Sequence, residues 1–212
     1  MKRLVLLALL AACSSAPDIP EGAGNGLTVL SDRPAGVVAI EAPTWSVGDV
    51  LEFELGGKDR VSLRVESGPD DATMALVDDA NGLVQLFDRG LGRQAEMFPN
   101  VDGAIRVLEP ADVQCAWPLW VGKRWRSHFM LKAPEQAVAV VAEYHCDARE
   151  TIEVPAGSFD CYRIWRTAHA ADDAESERVT SVAWYAPEVG YFVRRLAEGV
   201  LTELAERRHV DD

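Results

Sequence analysis

The chain has 212 residues and a formal net charge of −13 at pH 7, with 34 acidic residues against 21 lysines and arginines. This length is enough for one well-packed domain or for two small ones. The acidic balance disfavours contact with phosphate backbones, so we expect no nucleic-acid partner. After residue 13 no apolar stretch is long enough to cross a membrane as a helix.

The first thirteen residues have the order of an export signal. Lys2 and Arg3 precede an apolar run over residues 4–12, which would span only about 14 Å as a helix. Because a hydrocarbon core is roughly 30 Å thick, this run is too short for a transmembrane helix. It ends in Leu10-Ala11-Ala12-Cys13, which resembles the lipobox of bacterial lipoproteins.

The resemblance implies that residues 1–12 are a lipoprotein signal peptide and that Cys13 is the lipid attachment site. The thiol would carry a diacylglycerol, and further acyl chains such as palmitate would strengthen the anchor, because each buried methylene contributes about 0.8 kcal/mol. Lipoproteins retained in the inner membrane often carry Asp after this cysteine, whereas this chain has Ser14. We therefore expect a protein lipid-anchored in the bacterial cell envelope, at the periplasmic side of the outer membrane.

Residues 13–42 are rich in Ala, Gly, Pro, Ser and Asp, which predicts a lipidated N-terminus followed by a flexible linker. A short strand is expected to dock near the end of this segment. Residues 43–212 are predicted to form a β-rich globular domain. Apolar runs at 50–55, 61–65 and 73–77 alternate there with Gly, Asn and Asp clusters that are typical of turns.

The second half of the domain predicts longer strands, paired as hairpins around turns that contain Pro or Gly. Their predicted ranges are 124–132, 137–147, 151–154, 159–168, 178–185 and 191–196. The segment 201–208 fits both a helix and an edge strand, and a strand is expected because the preceding hairpin leaves an edge to cover. The predicted fold class is mainly β: a curved antiparallel sheet that forms an open or half β-barrel.

Three motifs of the second half resemble a known group of sequences. They read Pro118-Leu119-Trp120-Val121-Gly122-Lys123-Arg124-Trp125, Val154-Pro155-Ala156-Gly157-Ser158-Phe159 and Trp184-Tyr185-Ala186-Pro187-Glu188-Val189-Gly190. Over residues 117–208 the chain is similar to bacterial exported β-rich domains of unknown function, with the text P-L-x-V-G-K-x-W, V-P-A-G-[ST]-F and W-Y-A-P-x-V-G. Some members look related to periplasmic lipoprotein carriers and lipopolysaccharide-handling proteins. The resemblance implies no catalytic residues.

Few residues of the domain are candidates for a site. Cys115 and Cys146 are the favoured disulfide pair, because Cys146 is expected to run back beside the strand that begins near Lys123. Three reduced and buried thiols are the alternative. Trp120, Trp125 and Trp184 are expected mainly to fill the concave face of the sheet, and they are also the candidate ligand-lining residues.

The sequence contains no motif for an enzyme nucleophile, a zinc site or a phosphate-binding loop, so we expect a non-enzymatic protein without metal or cofactor. A curved sheet has a concave apolar face, which favours a hydrophobic-ligand-binding or scaffold protein at the membrane surface. The alternative is a protein-interaction module of an envelope assembly that docks through a strand edge or acidic loops. An envelope hydrolase is a third hypothesis, without a supporting motif.

Overall fold

The computed structural model describes residues 26–173 and 175–210. These residues form thirteen β-strands. In chain order they are β1 (Leu27–Val29), β2 (Asp49–Leu55), β3 (Asp59–Ser67), β4 (Thr73–Asp78), β5 (Val84–Asp88), β6 (Gly92–Met97), β7 (Arg106–Val113), β8 (Arg124–Ala133), β9 (Gln136–Val154), β10 (Gly157–Ala170), β11 (Val179–Ala186), β12 (Tyr191–Ala197) and β13 (Val200–His209).

The strands form an antiparallel sheet that closes on itself. Each strand from β2 to β13 pairs with the next one along the chain, and β13 returns to β2, with Arg207 opposite Leu51. The short β1 pairs with β8 outside this ring, with Leu27 opposite Ser127. The prediction of a mainly β, curved antiparallel sheet is confirmed, and the closure makes it a full barrel rather than an open or half-barrel.

The hairpin between β9 and β10 differs in register from its prediction. Val154 pairs with Gly157, so Pro155 and Ala156 alone form the turn, and Gly157 has a φ of 133°. A four-residue turn would place Cys161 opposite Ile152, whereas the two-residue turn places it opposite Glu150. The segments 137–147 and 151–154 also join into one strand, with a bulge at Asp147 taking up the extra residue.

Two hydrophobic clusters fill the barrel. We call them the first core and the second core, and the long strands β9 and β10 contribute to both of them: Tyr144 and Ile164 lie in the first, Ile152 and Cys161 in the second. The tip of the β9–β10 hairpin therefore covers the second core, where the Ala156 amide donates to the Leu204 carbonyl oxygen at 3.0 Å. One end of the barrel is covered in this way.

Two parts of the segment 27–42, residues 27–30 and Ile40, lie against the barrel. They fall within the predicted linker 13–42, in which a short strand was expected to dock. The Leu30 amide donates to the Arg124 carbonyl oxygen at 2.9 Å, and Ile40 and Leu119 exchange two hydrogen bonds of 2.8 Å. Leu27 and Ile40 pack against the first core, and this apolar contact explains the docking. The signal peptide over residues 1–12 and Cys13 lie outside the described residues, in which we find no helix long and apolar enough to cross a membrane.

Candidate functional site

A pocket of about 380 Å³ opens at the end of the barrel opposite the β9–β10 turn. This end carries the connections β8–β9, β10–β11 and β12–β13, which meet there because they alternate along an antiparallel sheet. We call it the mouth pocket. Its lining residues come from β6 to β12 and the loops between them: Arg93, Arg106, Leu108, Asp112, Gln114, Phe129, Leu131, Val140, Arg166, Ala168, His169, Ala170, Glu177, Val179, Ser181, Arg195, Ala197 and Glu198.

One wall of the mouth pocket is apolar. Leu108, Phe129 and Ala168 belong to the first core, and Leu131 and Val140 pack against it. These side chains come from neighbouring strands, since Leu108 pairs with Leu131 and Phe129 pairs with Val140. The wall can therefore cover one side of an apolar ligand without any rearrangement of the core.

A buried polar network lies beside the first core at the deep side of the mouth pocket. The Tyr144 hydroxyl donates to Asp112 Oδ1 at 2.8 Å, and the Arg166 guanidinium donates to the Tyr144 oxygen at 2.9 Å and to Asp112 Oδ2 at 3.2 Å. Burial lowers the pKa of Arg166, but its interactions with Tyr144 and Asp112 outweigh this effect and raise it above its ordinary value. Burial and the Asp112 charge both raise the pKa of Tyr144. The network therefore joins Asp112, Tyr144 and Arg166 through three hydrogen bonds, and Tyr144 keeps its proton.

Two further arginines extend the polar side of the pocket. Arg93 forms a salt bridge with the buried Glu96, which is also 3.4 Å from Arg106, but the buried Nε atom of Arg93 has no hydrogen-bond partner. Burial and the positive charge of Arg195 lower the pKa of Arg93. Arg195 itself has no hydrogen-bond or ion-pair partner among residues 26–173 and 175–210. The deep side of the pocket is thus positively charged.

The candidate ligand-lining tryptophans lie elsewhere. Trp125 is fully buried in the first core, stacks on Tyr144 with ring centroids 5.1 Å apart, and donates to the Val113 carbonyl oxygen at 2.8 Å. Trp120 is buried under Lys123, and Trp184 donates to Glu150 at 2.8 Å outside the mouth pocket. None of the three tryptophans lines the mouth pocket, and a ligand-lining role elsewhere stays a prediction. Their role in filling the sheet agrees with the structure.

The predicted Cys115–Cys146 disulfide is also absent from the structure. Cys115, Cys146 and Cys161 are free, buried thiols, as in the alternative interpretation. Burial raises the pKa of Cys146 and of Cys161 to about 12, and it raises the pKa of Cys115 as well. Cys115 and Cys146 pack together with aromatic side chains of the first core, where they act as small apolar residues.

Lys123, the lysine of the first motif, has a structural role. Its side chain is 2% exposed, its Nζ atom donates to the Ala116 and Pro118 carbonyl oxygens at 2.8 Å each, and it lies 4.2 Å from the centroid of the Trp120 ring. The Lys123 ammonium therefore holds the segment before β8 in place. Burial lowers the pKa of Lys123 to about 8 from an ordinary value of 10.5.

This lowered pKa predicts a pH dependence of stability. Between pH 8 and 10.5 the unfolded chain keeps the Lys123 proton that the folded chain has lost, so this residue makes the folded state more stable as the pH rises. The buried thiols act in the opposite direction, so we compare the wild type with Lys123→Met. In urea titrations the wild type should gain about 1 kcal/mol per pH unit over the variant in this range. The exposed Lys132→Met variant is the control, and a constant difference between wild type and Lys123→Met would contradict the prediction.

Comparison with known proteins gives a partial match to one family model. The model described as DUF3108-like matches residues 132–196, which run from the end of β8 to β12. No curated protein matches the chain. The match agrees with the resemblance of the second half to a domain of unknown function, and it does not extend to the lipobox.

Several solved structures are similar over most of the chain. The hypothetical lipoprotein YmcC from Escherichia coli (K12) covers 78% of this chain and 89% of its own, at 8% identity and a TM-score of 0.50. A Bacteroides fragilis protein described as exported, with a YmcC-like fold, covers 81% and 100% at 15% identity and a TM-score of 0.39. A Parabacteroides distasonis protein described as a lipoprotein covers 80% and 99% at 14% identity and a TM-score of 0.42. The chain therefore shares the fold of YmcC, and its residues 132–196 are similar to the DUF3108-like family.

Proposed function

We propose that the protein is a non-enzymatic envelope lipoprotein that binds a small hydrophobic ligand in the mouth pocket. The observation that carries the proposal is the pocket itself, with an apolar wall facing a few polar groups at an open end of the barrel. Small-molecule pockets have about 300–1,000 Å³, and the 380 Å³ found here lie within this range.

The membrane location of this proposal rests on the N-terminal sequence. Leu10-Ala11-Ala12-Cys13 resembles a lipobox, so the thiol of Cys13 would carry the acyl chains, and Ser14 favours the outer membrane. YmcC, which shares the fold, is itself described as a hypothetical lipoprotein. With this anchor at the start of the chain, the mouth pocket would work close to a bilayer, where apolar ligands are found.

The interaction-module hypothesis has less support. A partner strand needs an unpaired sheet edge, and the ring of β2 to β13 is closed among the residues described. The short β1 has a free edge, but it is only three residues long. The mouth pocket is the larger feature, so ligand binding is the function to test first.

A bulky side chain placed in the mouth pocket tests whether this pocket binds a ligand. Val140 lies in the apolar wall, and Val141, the next residue of β9, points to the opposite face of the sheet. In Val140→Trp the indole should fill part of the pocket and weaken binding of the neutral fluorescent probe N-phenyl-1-naphthylamine at least tenfold, while Val141→Trp should bind it like the wild type. Equal binding by both variants, with both folded by circular dichroism, would show that the probe does not use this pocket.

A second comparison tests the lipid anchor and the bound ligand independently of each other. Wild type and Cys13→Ser are purified from native cells, extracted with organic solvent and analysed by mass spectrometry. We expect acyl chains on the wild-type chain alone, and a non-covalent apolar molecule in extracts of both. Wild-type protein without added acyl mass would refute the anchor. A Cys13→Ser extract without an apolar molecule, together with no probe binding, would refute the ligand-binding function.

A further inference from the structure

We infer that the ligand of the mouth pocket is a single-chain amphiphile whose anionic head binds Arg93, Gln114, Ser181 and Arg195 at the deep side of the pocket. We call these four residues the donor floor. The inference rests on the proposed function and specifies its ligand by chemical class: an apolar chain with a carboxylate or phosphate group.

The donor floor has hydrogen-bond donors without acceptors. The Nε atom of Arg93 is buried and unpartnered, and Arg195 has no hydrogen-bond or ion-pair partner among the described residues. Gln114 and Ser181 are each 8% exposed, and within the same part of the chain their side chains have no hydrogen bond. Buried polar groups are nearly always paired in folded proteins. Of these groups only the Nε atom of Arg93 is closed off from solvent without a partner. Gln114, Ser181 and Arg195 line the pocket beside it with unpaired side chains, so an acceptor that enters the pocket could bind all four.

The four residues of the donor floor are also brought together by the fold. Gln114, Ser181 and Arg195 line the mouth pocket and also a cavity of about 20 Å³ next to Tyr144 and Phe192. Arg93 pairs with Asp112 across β6 and β7, and the charge of Arg195 acts on it from β12. Because these residues come from different strands, an acceptor group at their centre could be contacted from several sides.

The charge of the donor floor also favours an anion. Asp112 is paired with Arg166, and Glu96 is shared by Arg93 and Arg106, so among the described residues no carboxylate forms an ion pair with Arg195. The rim carries Glu177 and Glu198, but both are exposed and solvated. Buried positive charge acts more strongly than charge in water. In a chain of net charge −13, a half-buried cationic site of this kind is suited to an anion.

The order of side chains along β10 sets the orientation of a bound amphiphile. Arg166, Ala168 and Ala170 line the pocket in succession toward the β10–β11 connection, so the charged layer lies deeper than the apolar one. A bound amphiphile would therefore insert its head first and lay its chain along Phe129, Leu131 and Val140. The volume of 380 Å³ suits one acyl chain and is too small for a lipid with several chains.

The test compares twelve-carbon amphiphiles that differ only in the head group. Dodecanoate, dodecyl phosphate and dodecyltrimethylammonium each compete with N-phenyl-1-naphthylamine for the delipidated full-length protein. We expect both anions to displace the probe at concentrations at least tenfold lower than the cation, since a charge-assisted hydrogen bond contributes about this factor. The better of the two anions then distinguishes a carboxylate head from a phosphate head.

Arg195→Gln should remove most of the advantage of the anions, because it weakens the binding of both anions and does not weaken that of the cation. Removing Arg195 leaves no partner unpaired and relieves its repulsion with Arg93, so the melting temperature should not fall. The matched control is Arg194→Gln on the same strand, where Arg194 pairs with Glu203 at 2.6 Å on the outer face. This variant should keep the preference for anions.

Different results of these experiments would refute the anionic head group and ligand binding itself. Equal displacement by anions and cation would refute the anionic head and leave hydrophobic-ligand binding intact. Failure of all three amphiphiles and of the probe to bind would refute the proposed function itself. A drop in melting temperature of Arg195→Gln, with all three amphiphiles weakened alike, would show a structural role for Arg195 and overturn the inference.

Discussion

Replacing Asp112 with alanine is expected to lower the free energy of unfolding by about 3–5 kcal/mol, because it leaves a buried guanidinium without its counter-charge. Asp112 is 4% exposed, and its two carboxylate oxygens accept hydrogen bonds from Tyr144 and Arg166. Arg93 and Arg195 lie nearby, so the remaining positive charges would repel each other. Urea denaturation of wild type and Asp112→Ala measures the difference directly.

An exposed ion pair provides the control for this prediction. Asp160 pairs with Arg149 on the surface, where the two side chains are 52% and 51% exposed. Since exposed pairs contribute about 0–1 kcal/mol, Asp160→Ala should leave stability nearly unchanged. In the double variant Asp112→Leu/Arg166→Met both charges are gone, so much of the lost stability should return. A cost below about 1 kcal/mol for Asp112→Ala would mean that the network is hydrated.

Trp125→Ala is expected to lower the free energy of unfolding by a similar amount, about 3–5 kcal/mol, because it creates a large cavity in the first core. Trp125 has no exposed surface, stacks on Tyr144 at an interplanar angle of 3° and holds the Val113 carbonyl oxygen. The loss therefore combines removed packing with an unpaired buried carbonyl. Thermal and urea denaturation should both report it.

The control for Trp125 is Trp165, an indole on the outer face of β10. Trp165 is 42% exposed, so Trp165→Ala should cost about 1 kcal/mol or less. A ligand-lining tryptophan would behave differently, because its loss would weaken probe binding more than stability. If Trp125→Ala keeps wild-type stability but loses the probe, the assignment of this residue to the core is wrong.

The local parts of the fold could be predicted from the sequence. Gly and Pro at positions such as Pro134, Pro187 and Gly190 separate the apolar runs, and the hairpins of β8–β9 and β11–β12 lie where these turns predict them. The ambiguous segment 201–208 is a strand, as expected. Turn chemistry acts over a few residues, which is why it can be read from a single sequence.

The closure of the barrel could not be predicted in this way. It depends on pairing between β2 and β13, which are about 150 residues apart, and no local pattern specifies such a partner. A short strand was expected to dock within residues 13–42, but its pairing with β8 could not be predicted, because no local pattern specifies that partner either. In both cases the partner of a strand is determined by the tertiary structure and not by the local composition.

The residues of the mouth pocket were missed because charge on a strand usually indicates the solvent face. Arg166 did carry a usable signal, since it alternates with the apolar Ile164 and Ala168, and two-residue periodicity therefore places it inside the barrel. Arg93 and Asp112 carried a weaker signal, because bulges near them interrupt the alternation. Their meeting around one pocket follows only from the barrel.

Because β9 and β10 contribute side chains to both cores, the two cores should unfold together. Neither the N-terminal nor the C-terminal half of the chain contains a complete set of side chains for either core. A change that disturbs one core therefore also disturbs the other, because both cores contain side chains of β9 and β10. The strands from β2 to β13 are paired all the way round, so no group of strands can separate alone. The protein should thus behave as a single cooperative unit, in which ligand bound at one end also strengthens the far end.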